Sequence, residues 1–443
     1  MHLVHSRGPV VLLGVMLSGA PIAVAQAQDK GASTFHINAR RLQGTLEALS
    51  AFGRNPEGGV TRLGFSETDM AAREYVMGLM RQAGLQVRVD QAGNIFGRRE
   101  GTERLPVLLT GSHIDSVVGG GNYDGDVGSM GAVEVMTALH EGGVKTRHPI
   151  EVVIWTNEEG NHFGLGTLGS GVAAGLLGPE ILERKDDQGL TVADWLRRYG
   201  QDPARLTEAR IPKGAVAAFV ELHIEQGPTL DEKRIPIGVV QGIVCVKRWK
   251  CIVEGMANHA GTTPMNRRHD ALAAAAKDLL AVRDVVRAES GTQVGNVGFV
   301  RAEPGAINVV TGRAEFPVEL RDLDEAKVDR MWGAIHKRIE EVDGSERVKT
   351  VCTPLDDVKP AKADPHLQSA IREAAKSLGL ATLDLPSFAG QDSQEIAHIA
   401  PMAMIFVPSK DGISHSPKEF TSWEDIANGA EVLYRTLLIL DGK

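Results

Sequence analysis

The chain has 443 residues and a formal charge of −9, with 42% hydrophobic, 24% charged and 5% aromatic residues. That is ordinary composition for a soluble fold, and the length allows two domains and a large buried core. No basic stretch resembles a nucleic-acid footprint, so no polynucleotide partner is expected.

The first residues read as a leader. Arg7 precedes an apolar run over 9–20, and Ala25-Gln26-Ala27 stands before Gln28. That order matches a cleaved secretory signal peptide over residues 1–27, and so a periplasmic or secreted protein. Gly14, Gly19 and Pro21 interrupt the short apolar region, so no stable membrane span is expected.

From Ser66 to Gly84 the pattern predicts a helix, with Ser66 and Asp69 at capping-box spacing and the glycine as its stop. Residues 107–110 and 151–156 are continuous apolar strands with a helix over 128–141 between them, and 216–223 is a further buried strand. Such alternation predicts a mainly parallel sheet covered by helices. After Gly227-Pro228 the character changes. Alternating strands over 238–254, an Ala-rich helix over 270–288, strands near 296–301 and 306–320 and a helix over 324–341 read as an inserted α+β module. The α/β pattern returns with a helix over 365–378, a strand over 402–407 and a last helix after Trp423. The expected fold is α/β with two domains: a mainly parallel catalytic domain (28–228 and 346–443) and an inserted α+β domain (229–345).

Cys245, Cys251 and Cys352 form neither a disulfide framework nor a zinc knuckle. One bridge is compatible with an oxidising compartment. Cys245 and Cys251, six apart in an extended run, are too distant to pair with each other.

Four segments place metal-ligand residue types at strand ends, where α/β sheets build their sites. They are GSHIDSVVGGGNYDGDVGS with His113 and Asp124, WTNEEGNHFG with Glu158 and Glu159, ELHIEQG with His223, and PSKDGISHSP with His415. The glycine-rich loop is followed by no Gly-Lys-Ser/Thr and fails as a calcium loop; HExxH and GxSxG are also absent. Three imidazoles and two carboxylates, with one Glu to spare, suit zinc, cobalt or manganese. Two cations ~3.5–4 Å apart need an anionic bridge, which suits an Asp, and a carboxylate that is not a ligand must take the proton of the activated water.

These segments resemble the M20 metallopeptidase clan, most closely its hydantoinase/carbamoylase branch. The similarity runs from about Arg40 to the C-terminus and includes GSHIDSV, GGNYDG, TNEEG, LGSGV, ELHIEQGP, EGMANHAGTTPM, the stretch from PGAINVV to LRD, and GISHSPKEFTS. The resemblance implies two divalent metal ions, one held by His113, Asp124 and His223 and the other by Asp124, Glu159 and His415. It makes Glu158 the general base, places Gln226 beside the site, and sends His259 into the active site of a partner subunit. Asn308 and Arg321 would grip the carboxylate of a small-molecule substrate. The inserted domain becomes the dimerisation lid of a homodimer, closing to expel water. The implied reaction is hydrolysis of a C–N bond in an N-carbamoyl amino acid or a related ureido carboxylate such as allantoate or β-ureidopropionate. An aminoacylase or dipeptidase on the same site, or a non-catalytic periplasmic binding protein on the same scaffold, are the alternatives. Without the resemblance, Arg321 has Asp322 and Asp324 as plain surface partners, Asn308 reads as a turn residue and His259 as a loop histidine.

One departure stands out. The branch usually carries Gly-His-Asp where this chain has Gly390-Gln391-Asp392, and that position contacts substrate. Glutamine keeps hydrogen-bonding capacity but carries no positive charge and shuttles no proton. The metal chemistry is expected to survive, with substrate choice or rate altered.

Overall fold

The computed structural model describes residues 36–442. The expected leader lies outside them. Two sheets organise the chain. The larger runs in the order Gln86–Val89, Ile95–Arg99, Ile150–Trp155, Val107–His113, Val216–Ile224, Met402–Val407, Ile237–Ile243 and Ala361–Lys362, with Thr382–Ser387 also paired to Ile237–Ile243. Its centre is parallel, because Val107–His113 pairs in parallel with Ile150–Trp155 and Val216–Ile224, and Met402–Val407 extends that run. Antiparallel pairs occur towards both edges.

The central strands are apolar without alternation because both faces are covered. Ile150–Trp155 is buried at every position. Helices Asp126–Glu141, Pro365–Ser377 and Trp423–Leu440 pack on this sheet, and helix Ala39–Leu49 lies against the first and last of them. The predicted cap at the start of helix Glu67–Gln82 is present, since the Ser66 hydroxyl accepts the amide of Asp69.

The smaller sheet is antiparallel, in the order Arg301–Glu303, Arg313–Asp322, Cys245–Glu254 and Lys349–Val358, with Val294–Asn296 also against Arg313–Asp322. Arg313–Asp322 alternates strictly between buried and half-buried residues, as a strand covered on one face should. Helices Ala271–Ala288 and Glu325–Glu346 cover that face and close a second core around Trp249, Phe316, Val328 and Met331.

The expected boundaries at 229 and 345 shift. Ile237–Ile243 belongs to the large sheet, and Lys349–Val358, unforeseen in the sequence, belongs to the small one. The chain therefore enters the small sheet between Ile243 and Cys245 and leaves it between Val358 and Ala361. These two crossings run side by side as an antiparallel pair, with Ile243 opposite Ala361 and Val246 opposite Val358.

Further along the same pair, Cys251 faces Cys352 across the strands and is bonded to it, while Cys245 is free and buried. The bridge closes a loop with a sequence separation of 101 residues, which is most of the inserted domain. Closing so long a loop restricts the unfolded chain, and the expected contribution is about 4 kcal/mol. Reduction, or Cys352→Ser, should lower the guanidinium unfolding midpoint accordingly. An unchanged midpoint after confirmed reduction would remove the bridge from any part in stability.

Candidate metal and active site

The four predicted segments converge at the C-terminal ends of the parallel strands. His113 ends one strand and His223 lies near the end of its neighbour. Glu158 and Glu159 follow Ile150–Trp155, and His415 lies in the loop after Met402–Val407. Asp124 precedes helix Asp126–Glu141, beyond a turn in which Gly125 has a φ of +67°. A Cβ at Gly125 would stand 2.4 Å from the His113 ring, so both the backbone conformation and the close approach require glycine.

Asp124 occupies the centre. Its Oδ1 lies 3.2 Å from His223 Nε2 and 3.7 Å from His113 Nε2. Its Oδ2 lies 3.2 Å from His415 Nε2, which is itself 3.4 Å from Glu159 Oε1. Two groups, His113–Asp124–His223 and Asp124–Glu159–His415, thus bring their ligand atoms within 4.8 Å of one another and share one carboxylate. In His113 and His223, Nδ1 faces a backbone carbonyl, that of Asp115 at 3.0 Å and that of Ile224 at 2.9 Å. A carbonyl only accepts, so each Nδ1 carries a proton, and the neutral His113 turns its Nε2 lone pair inward. His223 differs: burial opposes its charge, but the hydrogen bond to Asp124 raises it to about 9, so its Nε2 also carries a proton, which a bound cation would displace. This donor set fits divalent cations.

The electrostatics point the same way. Burial pushes Glu159 up to about 9, helped by Asp124 and Asp115, and raises Glu158 well above the usual carboxylate range, helped by Glu159 and Asp392. Asp124 goes the other way: burial opposes its charge, but the hydrogen bonds to His223 and His415 outweigh burial and hold it well below that range. Burial lowers His113 to about 4, so it is neutral, as a ligand must be. Buried carboxylates that repel one another lack positive charge, and cations are the means of supplying it.

Above these groups lies a cavity of about 560 Å³ whose lining includes Asp124, Glu158, Glu159, His415, Gln226 and Gln391. Gln226, with a φ of +57°, donates to Asp124 Oδ2 at 2.7 Å and accepts from the Gln391 amide at 2.9 Å. The glutamine in the unusual position is thus tied through Gln226 to the central carboxylate. Arg321 lines the same cavity from the small sheet; its Nε donates to Glu319 and its Nη1 to the Phe388 carbonyl. Its partners are therefore not the neighbouring Asp322 or Asp324. His259 and Asn308 do not line the cavity. They sit on an exposed two-stranded ribbon, Asn258–His259 against Val309–Val310 and the residue before it.

Three supporting carboxylates escaped the sequence reading. Asp115 accepts the amides of Glu158 and Glu159, both at 3.1 Å, and so holds that pair in place. Glu221 accepts from Ser112 and Ser393, tying the strand of His223 to the segment of Gln391. Glu419 accepts the amides of Tyr123 and Asp124 through Oε1 and the Ser414 hydroxyl through Oε2, joining two loops nearly 300 residues apart. Each stands within a few residues of a candidate ligand (His113, His223 or His415), the one signal the sequence carries for it.

The sequence profile described as Peptidase family M20/M25/M40 matches residues 109–439. An N-carbamoyl-L-amino acid amidohydrolase of Geobacillus stearothermophilus is 44% identical over 402 residues, covering 90% of this chain and 98% of that protein. An allantoate amidohydrolase of Bacillus subtilis (strain 168) is 34% identical over 393 residues, covering 88% and 94%. The crystal structure of a hydantoinase/carbamoylase family amidase from Burkholderia multivorans superposes with a TM-score of 0.86 at 36% identity, covering 93% and 99%.

Removing the Glu419 carboxylate leaves two buried amides unpaired, at an expected cost of about 2 kcal/mol. Glu419→Ala should lower stability in urea by that amount and speed hydrogen exchange at Tyr123 and Asp124. Unaltered exchange there would mean that the loop holds its own shape.

Proposed function

The chain belongs to peptidase family M20/M25/M40, and from that premise we propose that it is an amidohydrolase with two divalent cations, acting on an N-carbamoyl amino acid or a related ureido carboxylate. The observation that carries this reading is the sharing of Asp124 between two three-residue groups, with Glu158 beside them and left out of both. Zinc, manganese and cobalt all suit such mixed nitrogen and oxygen donors.

Cations bound there would polarise the ureido carbonyl and make water a nucleophile near neutral pH. The chain's own residues do the rest. Glu158 takes a proton from the attacking water and passes it to the leaving nitrogen as the C–N bond breaks, and the carbamate left behind loses carbon dioxide through its remaining C–N bond, so the substrate yields an amino acid, carbon dioxide and ammonia. Gln226 and Gln391 offer neutral donors and acceptors to the ureido group, and Arg321 offers a guanidinium to the carboxylate.

His259 and Asn308 do not line this chain's own cavity, so a role for them at the reacting bond calls for a second copy. The ribbon that bears them is exposed, with exposed Met256, Met265, Phe299, Val300 and Ile307 on the same domain. Such residues suit an interface, and we infer a homodimer in which His259 and Asn308 complete the partner's site. An exported protein is supported by the leader-like N-terminus and by the Cys251–Cys352 bridge, which suits an oxidising compartment.

Protein stripped with chelator and reloaded with manganese, cobalt or zinc should release ammonia from N-carbamoyl-L-amino acids, allantoate or β-ureidopropionate. Activity confined to N-acyl amino acids or dipeptides would move the reaction to an aminoacylase or peptidase. Glu158→Gln should cost roughly a thousandfold or more in kcat while bound metal, measured by mass spectrometry, is retained. Metal loss in that variant would instead make Glu158 a ligand. Subunits carrying Glu158→Gln mixed with subunits carrying His259→Ala should recover about a quarter of wild-type activity through one intact site per mixed dimer. No recovery would place His259 in its own subunit's chemistry.

A further inference from the structure

The wall that the small sheet gives to the cavity carries two guanidiniums, Arg248 and Arg321, with one carboxylate shared between them. Arg248 stands opposite Glu319 in the strand register, and Arg321 follows two residues beyond Glu319, so the three side chains share a face. Glu319 forks between them: Oε1 takes Arg321 Nε at 2.8 Å and Oε2 takes Arg248 Nε at 2.6 Å. Arg248 Nη1 is held by Asp356 at 3.0 Å, and Arg321 Nη1 by the Phe388 carbonyl at 2.6 Å. Two guanidiniums are thereby fixed side by side. Both line the cavity that contains Asp124, Glu158 and His415, and the Nη2 of each has no protein partner among the described residues.

The other charges facing Arg248 decide what it can take. Glu319 divides its charge between two arginines, and Asp356 is half-exposed and does not line the cavity. Glu395 lines the cavity together with Thr167, whose hydroxyl donates to it. An apolar side chain placed against Arg248 would strip water from a guanidinium edge and return no hydrogen bond, and a neutral polar one would return only an uncharged acceptor. An anionic side chain would replace that water with a charge-assisted bond.

We propose that Arg248 is a specificity-determining residue that receives a second carboxylate, so that the preferred substrates are ureido derivatives of acidic amino acids. Arg321 takes the α-carboxylate, Arg248 takes the side-chain carboxylate, and the ureido group points to Asp124 and Glu158. This assignment rests on the ureido-hydrolase reading for its chemistry but not for its binding.

Two measurements separate the two claims. Calorimetric binding of the product-like ligands L-aspartate and L-glutamate to the whole protein, against L-alanine and L-norvaline, needs no turnover. The acidic ligands should bind roughly tenfold or more tightly, and Arg248→Met should remove that difference, with Arg248→Lys keeping part of it. In kinetics, the kcat/KM ratio of N-carbamoyl-L-glutamate to N-carbamoyl-L-norvaline should exceed ten and fall roughly thirtyfold in Arg248→Met. Equal binding of acidic and neutral ligands by the wild type, or an unchanged ratio in both variants with thermal unfolding intact, overturns the role of Arg248. Arg248-dependent binding of acidic ligands without ammonia release from any ureido compound supports that role and overturns the reaction instead.

Discussion

The arrangement depends on one carboxylate being shared. Asp124 presents one oxygen to His113 and His223 and the other to His415, so its position sets the spacing of everything around it. A carboxylate in that role needs a fixed backbone, and the fold supplies one from several directions. Glu419 holds the Asp124 amide, Gln226 holds the Oδ2 edge, and the turn at Gly125 admits the His113 ring against the main chain. Below, Arg62 is buried and donates through Nη2 to both oxygens of Asp126, fixing the first turn of the helix that begins there. The site is rigid beneath and open above.

That contrast divides the molecule's labour. The parallel sheet presents charge and ligands at strand ends, whereas the antiparallel sheet presents side chains from a flat face. Strand ends allow residues far apart in sequence to converge on one point. A flat antiparallel face instead sets neighbouring groups at fixed lateral spacing, as with Arg248, Glu319 and Arg321. The first geometry suits a reacting bond, and the second suits recognition of a substrate's extended charges.

How far this was legible in the sequence follows from the same distinction. His113, Glu158, Glu159, His223 and His415 stood out because each follows or ends a continuous apolar strand, and Asp124 because it lies in the glycine-rich loop after His113, but their division into two metal groups came from the family resemblance. Asp115, Glu221 and Glu419 did not, because a carboxylate that accepts backbone amides leaves no spacing of its own; its partners lie in other loops. The change of sheet near Val244 was hidden because Ile237–Ile243 and Cys245–Glu254 are both strand-like and nearly continuous. Strand Lys349–Val358 was missed because it is mostly exposed and reads as a polar loop with a proline in it. Arg248 was visible as a strand residue, but the cavity it faces is made by segments from both domains.

The paired crossings between the sheets have a mechanical consequence. Two covalent links placed apart would allow the small domain to twist and slide as well as tilt. Here they form one antiparallel ribbon, laddered by Ile243–Ala361 and Val246–Val358 and bonded beyond that by Cys251–Cys352. Slippage of one strand past the other would break the ladder and is opposed by the sulfur bridge, whereas bending the ribbon across its width breaks neither. The ribbon therefore opposes sliding of the small domain far more than bending across its width, and Arg248 and Arg321, on the same sheet, keep their mutual spacing under either.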